Sequence, residues 1–482
     1  MSVACSRRLV LLVLAGICCL LCRPACAVDV RPPNIIFILA DDLGYGDLGC
    51  YGQTKIKTPH IDRLAAEGLR FTNFYCGGSV CAPSRCTLMT GKHLGHAAIR
   101  DNVQRQPGAE GQHAMEAGTV TVAQLLQRAG YATAIVGKWG LGMPEDRSSP
   151  LNFGFDHHYG YLCQGMAHTH YPPYLWRDDR PEKLAGNPDY AYGRRGKIEP
   201  SGKVYAHDLM TADALRWVRE QNEKPFFLYL AYTIPHLSLQ VPEDSLAEYR
   251  GLWPETPLTD SQHYANHDTP RAAYAAMISR LDRDVGRLLA LLKERKLDAS
   301  TLVCFASDNG AVFPYAGVDP EFFRSSGQLR GYKQDLYEGG IRTPFIARWP
   351  GRIAAGAVSD HSGAFWDMLP TLCELAGTPA PEDTDGLSIV PTLLGRPGQN
   401  THEYLYWEYH SGGRAQAVRF GNWKAVRNNV DRAPSAPPEL YDLPGDPGEK
   451  TNVSAQHPDL TAKAAAYMKA AHTRSSVPKW NF

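Results

Sequence analysis

Two acidic clusters occupy positions where chemistry is easily built. Asp41-Asp42 directly follows the apolar run Asn34–Ala40, and Ser307-Asp308-Asn309-Gly310 follows a second run, Leu302–Ala306. Adjacent carboxylates repel, so positive charge is expected between them. Three carboxylates and an amide oxygen form an all-oxygen donor set, which suits Ca²⁺, less well Mg²⁺, and not Zn²⁺. Either cluster alone is ordinary for a solvated turn or a helix cap. Two of them at the carboxyl ends of parallel strands would share one sheet edge, where open α/β sheets bind ligands. A third segment, Cys81-Ala82-Pro83-Ser84-Arg85, leads through Cys86 to Gly91. Pro83 fits the first turn of a helix and Gly91 its end. Cys81 then sits at a helix N-terminus, which favours anions and lowers a thiol pKa. Cys76, Cys81 and Cys86 recur every five residues, but no second Cys/His pair at zinc spacing accompanies them.

These residues need a frame. Asn34–Ala40, Ala132–Val136, Phe226–Ala231, Leu302–Ala306 and Pro344–Ala347 are short and rich in Ile, Val, Leu and Phe, as buried strands are. Helical patterns lie between them over His60–Glu67, Thr119–Ala129, Tyr205–Gln221 and Arg271–Lys296. The last carries Met277, Leu281, Val285, Leu288 and Leu292 on one stripe. This alternation predicts an α/β domain with a large, mostly parallel central sheet flanked by helices. The stretch from Pro144 to Pro200 lacks periodicity and is expected to be long loops. Within it, Tyr159–Trp176 is rich in Tyr and His, a composition suited to stacking on a sugar, with His168 and His170 as candidate substrate contacts. After Gly395, strand patterns at Glu403–His410 and Ala415–Val426 and a helix at Leu460–His472 predict a smaller α+β subdomain over 396–482.

The chain has 50 basic and 50 acidic residues in 482, so net charge gives no reason to expect a nucleic-acid partner. Arg7-Arg8, an apolar run of about 14 residues and Ala25-Cys26-Ala27 read as a signal peptide over residues 1–27, too short to span a bilayer. The mature protein is expected to be exported, periplasmic or secreted (lysosomal in a eukaryote), without a stable membrane span. Five of the 12 cysteines leave with the signal. Cys304 and Cys373 fall in apolar runs as buried thiols, whereas Cys50, Cys76, Cys86 and Cys163 could pair in an oxidising compartment.

Cys81-Ala82-Pro83-Ser84-Arg85 with Leu88-Met89-Thr90-Gly91 resembles the sulfatase signature C-x-P-S-R-x-x-L-x-T-G. The resemblance extends through Asp41-Asp42-Leu43-Gly44-Tyr45-Gly46-Asp47, Gly137-Lys138-Trp139, Pro235-His236, Ser307-Asp308-Asn309-Gly310 and Glu338-Gly339-Gly340-Ile341-Arg342, in the family's order. It implies an alkaline-phosphatase-like catalytic domain over 28–395 that hydrolyses sulfate monoesters. It also implies that a maturation enzyme oxidises Cys81 to formylglycine. By the same resemblance Asp41, Asp42, Asp308 and Asn309 are the Ca²⁺ ligands, joined by the hydrated residue at 81. Arg85 orients that residue, and Lys138, His236 and Lys333 hold sulfate and assist the leaving group, with His236 the first choice of proton donor. The branch resembled points to a sulfated carbohydrate, 4-sulfated galactose or N-acetylgalactosamine among them. Two other functions use the same frame: a phosphate or phosphonate ester hydrolase, and a catalytically silent sugar-binding relative.

One position departs from the pattern. Where the family usually has G-K-W-H-L-G, this chain has Gly137-Lys138-Trp139-Gly140-Leu141-Gly142. The histidine's role must be vacant or filled from elsewhere, with His93, His96, His168 and His170 as candidates.

Overall fold

Strand β1 (Asn34–Asp41) is buried along its whole length, and its side chains serve two cores. Ile35, Phe37 and Leu39 pack in one, Ile36, Ile38 and Ala40 in the other, as the two-residue period of a strand inside a covered sheet requires. The computed structural model describes residues 31–106, 110–190 and 198–482, and the elements below belong to one unit, residues 33–482. The expected signal peptide lies outside the described residues.

On one side of β1 lies β9 (Thr301–Ser307), and on the other β8 (Phe226–Pro235), then β4 (Ala132–Lys138) and β5 (His157–Tyr161), all parallel. The flanks are mixed. β10 (Phe345–Arg348) runs antiparallel to β9 and pairs with β2 (Leu69–Phe71), which pairs with β11 (Ala357–Ser359). β6 (Tyr174–Arg177) and β7 (Arg180–Lys183) extend the other side, completing ten strands. A separate pair, β3 (Phe74–Tyr75) and β12 (Gly363–Ala364), lies outside this sheet.

The expected helices form over Pro59–Ala66, Val122–Arg128, Ala206–Glu220 and Pro270–Glu294. Thr121 caps the second with Gln124 in a reciprocal capping box. All five residues of the stripe on Pro270–Glu294 are buried. The region expected as long loops is instead partly strand. β5, β6 and β7 come from it, because aromatic-rich segments such as His157–Tyr161 and the charged Arg180–Lys183 pair in this flank of the sheet without an apolar run to announce them.

Toward the C-terminus, β13 (Leu405–Tyr409), β14 (Ala415–Phe420), β15 (Trp423–Asn428) and β16 (Glu439–Asp442) form an antiparallel meander. The single strand expected over 415–426 is two, because Gly421 adopts φ +54° and turns the chain. The helix Pro458–Ala471 covers one face through Ala464, Met468 and Ala471, while Leu405, Trp407 and Ala417 join the main core. All seven described cysteines are free thiols, so the disulfide expectation for Cys50, Cys76, Cys86 and Cys163 fails. Among the described residues no helix is long and apolar enough to cross a membrane.

Candidate active site

Four adjacent parallel strands deliver the site from their carboxyl ends. β1 ends in Asp41 and continues to Asp42, and β9 leads to Asp308 and Asn309. β8 leads to His236, and β4 ends in Lys138. Register brings them level: Ala40 pairs with Ser307, and Asp41 with Pro235. Asp42 turns into the left-handed region at φ +65°, and its amide donates to Asp308 Oδ1 at 3.1 Å. The helix Cys81–Thr90 starts at this edge with Cys81 as its first residue, ends at Gly91 with φ +67°, and is buried throughout. Lys333 arrives on the stretch beyond β9, where the chain returns against the end of that strand. A Cβ on Gly310 would lie 2.0 Å from the Gly339 carbonyl oxygen, so a side chain at 310 would push that stretch away.

Each buried carboxylate faces a cation. Lys138 Nζ lies 2.6 Å from Asp41 Oδ2 and Lys333 Nζ 2.7 Å from Asp42 Oδ1. Arg85 grips Asp308 Oδ2 through Nε and Nη2 at 3.0 and 2.7 Å, and donates from Nη1 to the Lys138 carbonyl at 2.7 Å. Cys81 Sγ is 3.4 Å from Asp41 Oδ1 and 3.5 Å from Lys333 Nζ. His236 Nδ1 donates to the Leu237 carbonyl, leaving Nε2 facing Asp42 Oδ2 at 3.4 Å. One ligand atom each from Asp41, Asp42, Cys81 and His236 lies within 4.8 Å of the others.

The electrostatics are strained. Burial alone would raise Asp41, but Lys138, His236, Arg85 and Lys333 hold it well below the ordinary carboxylate range. Burial, with Asp41 adjacent, pushes Asp308 up to about 6 despite Arg85, and raises Asp42 despite Lys333. Asn309 donates from Nδ2 to Asp42 Oδ1 at 2.7 Å, yet its own Oδ1 is buried without a partner. Crowded carboxylates with an orphaned amide oxygen fit a hard divalent cation. The Cys81 thiol departs from expectation. Burial and neighbouring Asp41 raise its pKa against Lys138 and Lys333, so the helix terminus does not make it a thiolate.

A family model described as Sulfatase matches residues 33–378. This chain belongs to the sulfatase family. A second model, N-sulphoglucosamine sulphohydrolase, C-terminal, matches residues 331–473 of this sulfatase. Human arylsulfatase A is 36% identical over 469 residues, covering 88% of this chain and 83% of the relative. The N-acetylgalactosamine-6-O-sulfatase of Bacteroides thetaiotaomicron is 29% identical, covering 92% and 94%. The crystal structure of Ps i-CgsB in complex with k-i-k-neocarrahexaose superposes with a TM-score of 0.76 at 28% identity, covering 92% and 94%. The protein is accordingly a sulfuric ester hydrolase.

The four histidines considered for the vacancy at Gly140 separate clearly. His93 and His96 follow the far end of the helix that begins at Cys81, about 15 Å away along ten residues, where His96 pairs with Asp385. His170 is fully buried and its Nε2 bonds the His236 carbonyl at 2.9 Å, so it supports His236 from behind and meets no open surface. Only His168 reaches the site, stacked on His236 with ring centroids 5.2 Å apart. Gly140 itself has φ +72°, and a Cβ there would lie 2.1 Å from Gln164 Nε2. Gln164 therefore fills that space, with both ends of its buried amide unpartnered.

The aromatic stretch Tyr159–Trp176 is mainly structural. Tyr159, Tyr161 and Tyr171 are buried, and Tyr174 and Trp176 lie on β6. From that stretch His168 reaches the site, and the rings joined to it come from elsewhere: His263-Tyr264 touch His168, and Tyr315 with Phe313 follows outward from Tyr264. The usable signal was their position: one doublet in an aperiodic loop, the other pair starting three residues past Gly310.

Proposed function

We propose that this protein is an exported sulfatase that removes sulfate from a saccharide, using formylglycine made from Cys81 and Ca²⁺ held by Asp41, Asp42, Asp308 and Asn309. One observation carries this reading: Cys81 lies between Asp41 and Lys333 at the shared end of four strands, where Asn309, bonded to Asp42, leaves its Oδ1 without a partner. The cation would supply Lewis acidity and charge neutralisation. A hydrated aldehyde at position 81 would supply an oxygen nucleophile and a second hydroxyl through which sulfate can leave. Arg85 fixes Asp308 and the end of β4. Lys138 and Lys333 present ammonium groups to an anionic ester, whose developing charge they stabilise. His236, held by the Leu237 carbonyl, aims Nε2 at the same space to handle the leaving-group proton.

A saccharide substrate is supported by the relatives, which include N-acetylgalactosamine-6-sulfatases and a structure in complex with k-i-k-neocarrahexaose. Galactose or N-acetylgalactosamine carrying sulfate at position 4 or 6 is the class to test first. The chain divides as a signal over 1–27, a catalytic domain over 28–395 and a C-terminal subdomain over 396–482. Export places it in the periplasm or outside the cell, or in the lysosome of a eukaryote, after encounter with a formylglycine-generating enzyme.

The test is mass spectrometry of the Cys81 peptide from protein matured with such an enzyme, alongside assays on paired sulfate and phosphate esters. An aldehyde in place of the thiol and faster sulfate hydrolysis are expected. An unmodified thiol in active protein, or faster phosphate hydrolysis, would overturn the proposal.

A further inference from the structure

Beyond the catalytic residues, aromatic side chains run in a connected line from His236 to the surface. His168 stacks on His236 with an interplanar angle of 19°. His263 meets His168 edge-on at 5.1 Å, its Nε2 2.8 Å from His168 Nδ1. Tyr264 contacts His168 at 5.3 Å and meets Tyr315 at 5.9 Å, and Tyr315 lies 5.6 Å from Phe313. Tyr264 is thus one ring removed from His236, through His168. At the other end Tyr315 is 49% exposed. Neither the Tyr264 nor the Tyr315 hydroxyl has a hydrogen-bond partner among the described residues.

These rings are fixed before any ligand arrives. Leu258 and His267 exchange backbone hydrogen bonds across the loop that carries His263 and Tyr264. Ser261 Oγ accepts from the Tyr264 amide at 2.9 Å. Ser238 Oγ accepts from the Ala265 amide and donates to the His168 carbonyl, tying that loop to the stretch beyond His236. The Val318 amide donates to the Tyr315 carbonyl, closing the turn on the other side. A core has no use for a line of rings held at the surface by polar loops. A ligand with flat apolar faces and a rim of hydroxyls does, and preorganised rings lower the ordering cost of binding it.

We infer that His263, Tyr264 and Tyr315 form the sugar-binding wall of this enzyme, on which the sulfated ring and its neighbour in an oligosaccharide stack. Tyr264 and His263 serve the ring that carries the scissile sulfate, and Tyr315 the next ring outward. The inference rests on the proposed saccharide sulfatase activity and adds the residues that select the substrate.

The test measures kcat and KM for Tyr315→Ala, Tyr264→Phe and Tyr264→Ala on sulfated galactan tetrasaccharides and on 4-nitrophenyl sulfate. For Tyr315→Ala the ratio of kcat/KM on tetrasaccharide to that on aryl sulfate should fall about tenfold, mainly through KM. Tyr264→Phe keeps the ring and should lose less than Tyr264→Ala, which guards against a merely misfolded alanine variant. An equal loss on both substrates, or no change on either, would overturn the wall. Calorimetric binding of the same tetrasaccharides to Cys81→Ala protein, with and without Tyr315→Ala, needs no turnover. Binding weakened by Tyr315→Ala without any wild-type sulfate hydrolysis would retain the wall and sink the sulfatase proposal. Binding indifferent to Tyr315 would sink the wall alone.

Discussion

Two buried charge clusters in this protein look alike on paper and behave differently. In the C-terminal meander, Glu408 is fully enclosed, yet all its acceptor capacity is used. Oε1 receives Arg100 Nη1 at 3.1 Å and His410 Nε2 at 2.9 Å, and Oε2 receives the Tyr406 hydroxyl and His472 Nδ1, each at 2.8 Å. Burial works against its charge, but His410, His472 and Arg100 prevail and hold it down at about 2. At the ends of β1 and β9 the carboxylates crowd one another instead, two are raised, and an amide oxygen has no partner. A buried ionic cluster that is satisfied joins parts of a fold. One left unsatisfied keeps room for something else, which agrees with perturbed carboxylates gathering at functional sites.

The sharpest way to break this contrast is at Cys81. Cys81→Ala should lower kcat/KM for sulfate esters by roughly 10⁴-fold or more while retaining the wild-type melting midpoint, read by turnover and calorimetry. A collapse in stability would mean that the unsatisfied cluster is structural after all. Glu408→Ala should do the reverse, costing about 3–5 kcal/mol of unfolding free energy by leaving Arg100 buried without its acid, with kcat/KM retained in the folded fraction. Its pH dependence has a definite sign. The folded pKa lies below that of an ordinary glutamate, so the contribution is fully present above about 4.3 and fades as pH falls toward 2. Urea unfolding of wild type and Glu408→Gln should therefore converge between pH 5 and about pH 3; a gap that widens there would refute the assignment. The smallest effect is expected at Gly140. Gly140→His should cost about 1–3 kcal/mol, since φ +72° and Gln164 both oppose a side chain. Adding Gln164→Ala should return part of that loss, and strict additivity of the two changes would show that Gln164 is not the obstruction.

Much of the frame was legible in the sequence because β1, β8 and β9 are buried on both faces, and such strands are written as unbroken apolar runs. The acidic pairs after β1 and β9 were legible for a related reason, since a parallel sheet places such ends on one edge. β5, β6 and β7 were not, because β5 and β6 are built largely from His, Tyr and Trp and the edge strand β7 from charged residues and Pro181, so none carries an apolar run. The binding wall was hidden for another reason. His263-Tyr264 and Tyr315 meet only in space, from two loops separated by a long stretch of chain, and no periodicity marks residues that serve a ligand. Gln164 was equally silent, since a glutamine becomes informative only beside a glycine with no room for a side chain.

The four strand ends have one more consequence. Neighbouring strands are separated by about 4.8 Å, so the sheet acts as a ruler that sets the spacing between Asp308, Asp41, His236 and Lys138 before any side chain adjusts. The wall residues sit on loops outside this ruler. Lineages can therefore lengthen, shorten or rewrite those loops to suit a new sugar while the distances that govern sulfur chemistry stay fixed.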